Sequence, residues 1–204
     1  MRLYFKPGAC SLATHIVLHE VGETFDLVKV DTAAGATADG RDFRRINPKG
    51  YVPVLELDDG QILTEGAAIL QFIADRHPGA RLAPPSGTIE RARLQEHLNY
   101  VASEVHKAYG AFFSGKELGD AARAEAEGRV LSRLRPLEAL LADGRSYLLG
   151  ETFTVADAYL FVVASWSPHV GLSLVGLPHL TAFLERVHDR GATQAALSAE
   201  RVAA

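Results

Sequence analysis

The stretch Val52-Pro53-Val54-Leu55-Glu56-Leu57-Asp58-Asp59-Gly60-Gln61-Ile62-Leu63-Thr64-Glu65-Gly66 decides the fold class of this chain. Residues 52–57 have strand composition, Asp58-Asp59-Gly60 is a hairpin turn, and residues 61–64 are the returning strand. From Glu65 to Arg76 the period becomes helical, with Ile69, Phe72 and Ile73 on one face and Pro78-Gly79 closing it. Upstream, Arg2-Leu3-Tyr4-Phe5 is a short strand stopped by Lys6-Pro7-Gly8. Residues 10–22 follow with helical spacing, and residues 25–30 alternate as a second strand. Residues 31–40, rich in Ala, Thr and Gly, read as loop. A short helical piece starts at Arg41, and Asn47-Pro48-Lys49-Gly50 is a turn. The order over residues 1–80 is β-α-β-α-β-β-α. Sequential β-α-β units imply parallel pairing, and the closing hairpin implies one antiparallel edge.

Beyond residue 88 the pattern is helical only. Leu94, Leu98, Val101, Val105 and Phe112 keep one apolar face. A second helix over about 120–142 carries Val130, Leu131, Leu134, Leu137 and Leu141, and Pro136 within it is expected to bend or break it. A third begins near Thr154, and a fourth follows Pro178 with Leu180, Phe183, Leu184 and Val187. The expected organisation is an α/β domain over 1–80, a linker over 81–87 containing Pro84-Pro85-Ser86-Gly87, and an all-helical domain over 88–204.

Composition narrows the function. The 204 residues are 48% hydrophobic and 23% charged, with a net charge of −4, enough to fill two cores. Residues 1–80 hold 8 basic and 11 acidic side chains, so no basic face offers itself to nucleic acid. No apolar run reaches the ~20 residues a membrane span needs. The opening Met1-Arg2-Leu3-Tyr4-Phe5 is too short an apolar stretch for a signal peptide. The single cysteine, Cys10, rules out an intramolecular disulfide, a dithiol centre and a cysteine-based zinc site. The expected compartment is the cytoplasm.

Cys10 opens the first helix after a strand and a Pro-Gly turn. A helix N-terminus favours thiolate over thiol, although a free cysteine is also a common core residue. Pro53 heads a strand, where an ordinary trans proline is tolerated. A cis Val52–Pro53 bond would instead turn the Val52 N–H and C=O outward, toward a peptide-like ligand. Thr64-Glu65-Gly66 sits at a strand-to-helix junction, where backbone amides suit a carboxylate and Glu65 suits an ammonium group. Asn99, Ser103 and His106 form a polar stripe beside an apolar one, with Glu104 and Lys107 adjacent. Such a stripe is either a solvated face or the wall of a cleft in which His106 acts. His15 and His19 share a helix face without a third ligand, so no metal site is expected. Tyr109, Phe113 and Trp166 line an apolar pocket or fill the core. Thr154-Val155-Ala156-Asp157 is a capping box and structural.

The chain resembles the bacterial beta-class glutathione S-transferases from Met1 to about Ala199. The motifs that carry the likeness are Lys6-Pro7-Gly8-Ala9-Cys10-Ser11, Asn47-Pro48-Lys49-Gly50-Tyr51-Val52-Pro53 and Leu63-Thr64-Glu65-Gly66. Leu98-Asn99-Tyr100, Glu104-Val105-His106-Lys107 and Phe153-Thr154-Val155-Ala156-Asp157-Ala158-Tyr159 follow in family order. The resemblance implies a thioredoxin-like N-terminal domain followed by an all-helical C-terminal domain. It also implies a detoxifying homodimer with two glutathione sites, in which glutathione is co-substrate and no prosthetic group is present. On that likeness Cys10 touches the glutathione sulfur, with Ser11 as accessory donor. Val52 pairs with the cysteinyl part ahead of cis Pro53, and Glu65 and Gly66 hold the γ-glutamyl end. Asn99, Ser103 and Glu104 approach from the dimer interface, while His106 and Lys107 flank the thiol and glycyl regions.

Three departures stand out. Gly35 replaces a lysine frequent in the family near the glycyl carboxylate, Gly66 replaces Ser or Ala, and Pro168 follows Trp166. The implied reaction joins glutathione thiolate to small apolar electrophiles, with Cys10 and His106 catalytic and Tyr109, Phe113 and Trp166 around the electrophile. The alternatives are a glutathione-dependent thiol transferase or disulfide reductase using Cys10 as a monothiol, or a non-catalytic binding or regulatory protein of the same fold.

Overall fold

A computed structural model of the chain describes residues 1–202; Ala203 and Ala204, the end of the expected helical domain, lie outside the described residues. The chain divides into two compact units, one made of Met1–Ala83 with the chain from Asp189 onward, the other of Pro84–His188.

The first unit runs β1 (Arg2–Phe5), α1 (Ser11–Glu20), β2 (Asp26–Asp31), β3 (Ala36–Thr37), α2 (Phe43–Ile46), β4 (Val54–Glu56), β5 (Ile62–Thr64) and α3 (Gly66–Arg76). It has the thioredoxin-like order expected, with one addition. The segment read as loop contains β3, which pairs antiparallel with β2. Side-chain turn chemistry makes this reversal: the Asp31 carboxylate accepts the Ala33 and Ala34 amides at 2.9 and 3.0 Å. Gly35 completes it at φ +70°, a left-handed conformation that glycine adopts without penalty.

The sheet order is β3-β2-β1-β4-β5. β1 and β2 are parallel, with Leu3 opposite Leu27, whereas β4 runs antiparallel to β1, with Leu3 opposite Leu55. Parallel pairing therefore holds for the first β-α-β unit only. The two-residue β3 and the four-residue α2, about 6 Å long, never carry the chain back along the sheet. β4 consequently enters from the end that β2 left. Tyr4, Val30, Phe43 and Val54 form a buried cluster on which Val28, Ile46 and Val52 pack, so the backbone of Val52 is anchored through its own side chain.

The second unit runs α4 (Ile89–Tyr100), a π-helical turn (Val101–Val105), α5 (His106–Ala108), α6 (Asp120–Leu141), α7 (Val155–Ala164), α8 (Trp166–His169) and α9 (Pro178–His188). Thr88 caps α4 by accepting the Arg91 amide at 3.2 Å. Leu94, Leu98, Val101 and Val105 are buried as their spacing predicts. α6 continues through Pro136 rather than breaking, because Leu134 and Leu137, on either side of it, are both buried.

All ten residues of α7 are buried, as a helix apolar around its whole circumference requires. Its capping box forms: the buried Asp157 carboxylate accepts the Thr154 amide, the Thr154 hydroxyl and the Leu148 amide, each at 2.8 Å. Burial nevertheless pushes Asp157 up to about 6.

The closing helix, α10 (Gly191–Val202), packs on α1 and belongs to the first unit, although its sequence groups it with the helices before it. Arg190 forks onto Glu20 at 2.6 and 2.9 Å. Covered in this way, α1 is buried from Ser11 to Leu18. Among the described residues no helix is long and apolar enough to cross a membrane.

Candidate active site

Cys10 is the N-cap residue of α1, so its side chain stands at the positive end of the helix dipole. Three backbone bonds build the approach: Ala9 to Lys6, Leu12 to Ala9 and Ala13 to Cys10, at 3.0 to 3.2 Å. Ser11 braces the same turn. It is fully buried, and its hydroxyl accepts the Lys6 amide at 3.2 Å and donates to the Lys6 carbonyl at 3.3 Å. The expected accessory donor thus has its hydroxyl bonded to both backbone groups of Lys6.

A second brace comes from the far end of the chain. The Glu200 carboxylate, on α10, accepts the Gly8 amide at 2.8 Å and lies 3.1 Å from His15 Nδ1. His15 is fully buried and stacks on the half-buried His19. The Glu200 contacts span 185 residues or more, and nothing local in the sequence announces them.

The Cys10 thiol donates to the Val52 carbonyl at 3.3 Å. Val52 reaches this position through the Asn47 turn. The buried Asn47 amide donates to the Tyr51 carbonyl at 2.8 Å and accepts from the Lys49 amide at 3.2 Å. The Val52–Pro53 bond is cis, as the sharper of the two sequence readings has it. The Val52 carbonyl is not open as that reading supposed, since it carries the thiol.

Glu65 adopts φ +68° without being glycine, a strained conformation typical of functional junctions. Its carbonyl takes the Ala68 and Ile69 amides at 3.0 Å, which leaves the Gly66 and Ala67 amides aimed out of the N-terminus of α3. Its exposed carboxylate holds Lys49 Nζ at 2.6 Å. Lys49 lies inside the quoted Asn-Pro-Lys-Gly motif, yet its partnership with Glu65 is not legible from spacing.

In the second unit the polar stripe spans the π-helical turn, a feature that recurs at functional sites. Asn99, Ser103 and Lys107 are exposed. The Ser103 hydroxyl donates back to the Asn99 carbonyl at 2.8 Å. Glu104 pairs with Arg133 at 2.7 Å.

His106 differs from these neighbours. Its Nδ1 lies 2.9 Å from the Tyr159 hydroxyl, and its ring meets Trp166 edge-to-face at 4.9 Å. Burial, with the Lys107 charge adding to it, pushes its pKa down to about 4, so the imidazole is neutral near pH 7. Trp166 also meets Tyr109 at 5.6 Å and Phe113 at 5.2 Å. Within this unit the three expected pocket residues are not equivalent. Tyr109 is fully buried with its hydroxyl 2.7 Å from Ser167 Oγ, and its pKa is pushed up to about 12 by burial. Trp166 is buried too, and only Phe113, 56% exposed, offers a free apolar surface.

Residues 8–76 match the glutathione S-transferase N-terminal domain and residues 100–190 the glutathione S-transferase C-terminal domain. The chain belongs to the glutathione S-transferase family. It is 44% identical over 203 residues, 98% of each chain, to glutathione S-transferase GstA of Escherichia coli O157:H7. A sphingomonad glutathione S-transferase solved in complex with glutathione is 44% identical with a TM-score of 0.93, over 99% of this chain and 100% of that one. The bacterial beta-class glutathione S-transferase of Sphingomonas chungbukensis is 46% identical with a TM-score of 0.93, over 98% of each chain. The beta-class resemblance read from the motifs agrees with these relatives, as does the thioredoxin-like plus helical fold.

Proposed function

We propose that this protein stabilises the thiolate of glutathione and directs it onto small apolar electrophiles. The observation that carries the reading is the seat of Cys10: the head of α1, with its sulfur 3.3 Å from the Val52 carbonyl. A tripeptide that pairs with Val52 as an added strand sets its own sulfur against the first turn of α1. There the positive end of the helix dipole favours thiolate. The γ-glutamyl carboxylate meets the amides of Gly66 and Ala67, and its ammonium group meets Glu65, which Lys49 already orients. Pro53 keeps the strand edge in shape.

On the family resemblance, Asn99, Ser103, Glu104, His106 and Lys107 of the second unit also serve glutathione binding, with His106 acting on the thiol. Phe113, backed by Trp166 and Tyr109, presents the apolar surface for the electrophile. The assembly is a homodimer working in the cytoplasm in a detoxifying role, as the family resemblance implies. Chemically, the glutathione sulfur forms a bond to an electrophilic carbon while that carbon's bond to its leaving group breaks. With a chloroarene chloride departs, and the thiol proton goes to solvent.

The test is the rate of conjugation to 1-chloro-2,4-dinitrobenzene at pH 7, wild type beside Cys10→Ala. We expect turnover by the wild type, and turnover within about tenfold of it in the variant. The helix end acts on the ligand's sulfur whichever side chain stands at position 10. No turnover by a wild-type protein that still binds glutathione overturns the reading.

A further inference from the structure

Tyr159 closes the Phe153-Thr154-Val155-Ala156-Asp157-Ala158-Tyr159 motif. The capping box explains Thr154 and Asp157 but gives Tyr159 no task. Tyr159 sits on α7, is 6% exposed, and its hydroxyl lies 2.9 Å from His106 Nδ1. The two rings are perpendicular, at 90° with centroids 6.0 Å apart, so the hydroxyl meets the imidazole at its edge. Trp166 meets the same imidazole at 70°, so the His106 ring is packed in one orientation.

A neutral imidazole has one N–H and one bare nitrogen, and the partner of one nitrogen decides what the other can do. A phenol is a good donor and a weak acceptor, because its lone pair is shared with the ring. The bare imidazole nitrogen is a strong acceptor. The favoured pairing is O–H of Tyr159 to Nδ1 of His106, which leaves the proton on Nε2.

We infer that Tyr159 is a positioning residue which fixes His106 as the Nε2–H tautomer, so that Nε2 is a hydrogen-bond donor and not a base. The inference deepens the transferase reading above and rests on it for the group that Nε2–H serves. The tautomer itself rests only on the contact between α5 and α7. A donor of fixed orientation stabilises negative charge on sulfur without taking a proton, and it needs no reorganisation when the thiolate forms. The depressed pKa of His106 agrees with this, since an imidazole that resists protonation is a poor proton acceptor.

The test begins with the wild-type protein labelled with 15N-histidine, observed by long-range proton–nitrogen correlation at pH 7. His106 is assigned by comparison with His106→Gln. We expect Nε2 protonated and Nδ1 bare in the wild type, and a mixture of tautomers in Tyr159→Phe. A protonated Nδ1 in the wild type overturns the inference whether or not any variant folds.

The second readout is conjugation of glutathione to 1-chloro-2,4-dinitrobenzene. Tyr159→Phe is expected to lower kcat by up to roughly twofold to threefold, because part of the population loses the donor tautomer and the ring loses one of its two holds, with KM for glutathione unchanged. A mixed tautomer with unchanged kcat also overturns the positioning role. A wild type that shows the Nε2–H tautomer but conjugates nothing instead overturns the transferase reading and leaves the tautomer assignment standing.

Discussion

Cys10 and His106 each meet an oxygen, the Val52 carbonyl and the Tyr159 hydroxyl, yet the two regions are built by opposite means. Around Cys10 the backbone does the holding. The helix end, the Lys6–Ala9 turn, the Val52 carbonyl and the Gly8 amide on Glu200 are all main-chain features or grips upon them. Around His106 the side chains do it, through the Tyr159 hydroxyl and the edge of Trp166. A backbone-built site survives changes in the side chains it presents, while a side-chain cage fails with any of its members.

The largest expected effect therefore lies in the second unit. Trp166→Ala removes the ring that meets His106, Tyr109 and Phe113 at once. It is expected to destabilise the protein by about 3–5 kcal/mol, read as a shift of the urea midpoint with an unchanged slope. A cost below about 1 kcal/mol would mean that the three rings do not depend on it.

The next effect is one of pH. The depressed pKa of His106, about 4 against an ordinary 6.5, means that the folded state binds the proton less readily than the unfolded chain. The histidine's contribution is thus fully present above pH 6.5 and is lost as pH falls toward about 4. Its size is at most about 3 kcal/mol. Urea unfolding of the wild type and of His106→Phe, at pH 7.5 and again at 4.5, isolates it. The wild type should lose more stability on acidification than the variant does, and equal losses would deny that burial holds the imidazole neutral.

Legibility in the sequence followed the same division. The Lys-Pro-Gly-Ala-Cys turn, the Asn-Pro-Lys-Gly turn and the hairpin could be read residue by residue, because local backbone chemistry makes them. The cis bond before Pro53 was one of two open readings. The antiparallel entry of β4 was not legible, because it depends on how far β3 and α2 fail to travel. The Ser11 hydroxyl is a related case: beside a thiol it reads as a donor, and only the fold shows that it is buried and bonded to the Lys6 backbone. Glu200 and Arg133 leave no pattern, and Tyr159, though inside a quoted motif, gives no sign of its partner, since each meets its partner across 29 to 192 residues, where periodicity carries no information. Tyr109 and Trp166 were visible as aromatic residues, but only packing tells a pocket wall from the layer behind it.

The smallest effects belong to the two glycines at which the chain departs from its family resemblance, and they are expected to have opposite signs. Gly66 opens α3 with an ordinary helical φ, and a Cβ there would meet Pro53 Cγ at 3.7 Å, a normal van der Waals contact. Gly66→Ser should therefore stabilise by about 0.5 kcal/mol, through the reduced freedom of the unfolded chain, and leave the outward amides in place. Gly35 is held at φ +70° between the Asp31 turn and Phe43, whose amide donates to the Gly35 carbonyl at 2.8 Å. A Cβ there would come within 3.5 Å of Arg44 Nε. Gly35→Lys, which restores the charge common in the family, should cost about 1 kcal/mol, because this backbone is shaped for glycine. Thermal midpoints of the two variants, measured side by side, decide the matter. A gain in both would mean that the Asp31 turn gives way easily, so that the first unit is less rigidly built around its backbone than the Cys10 region implies.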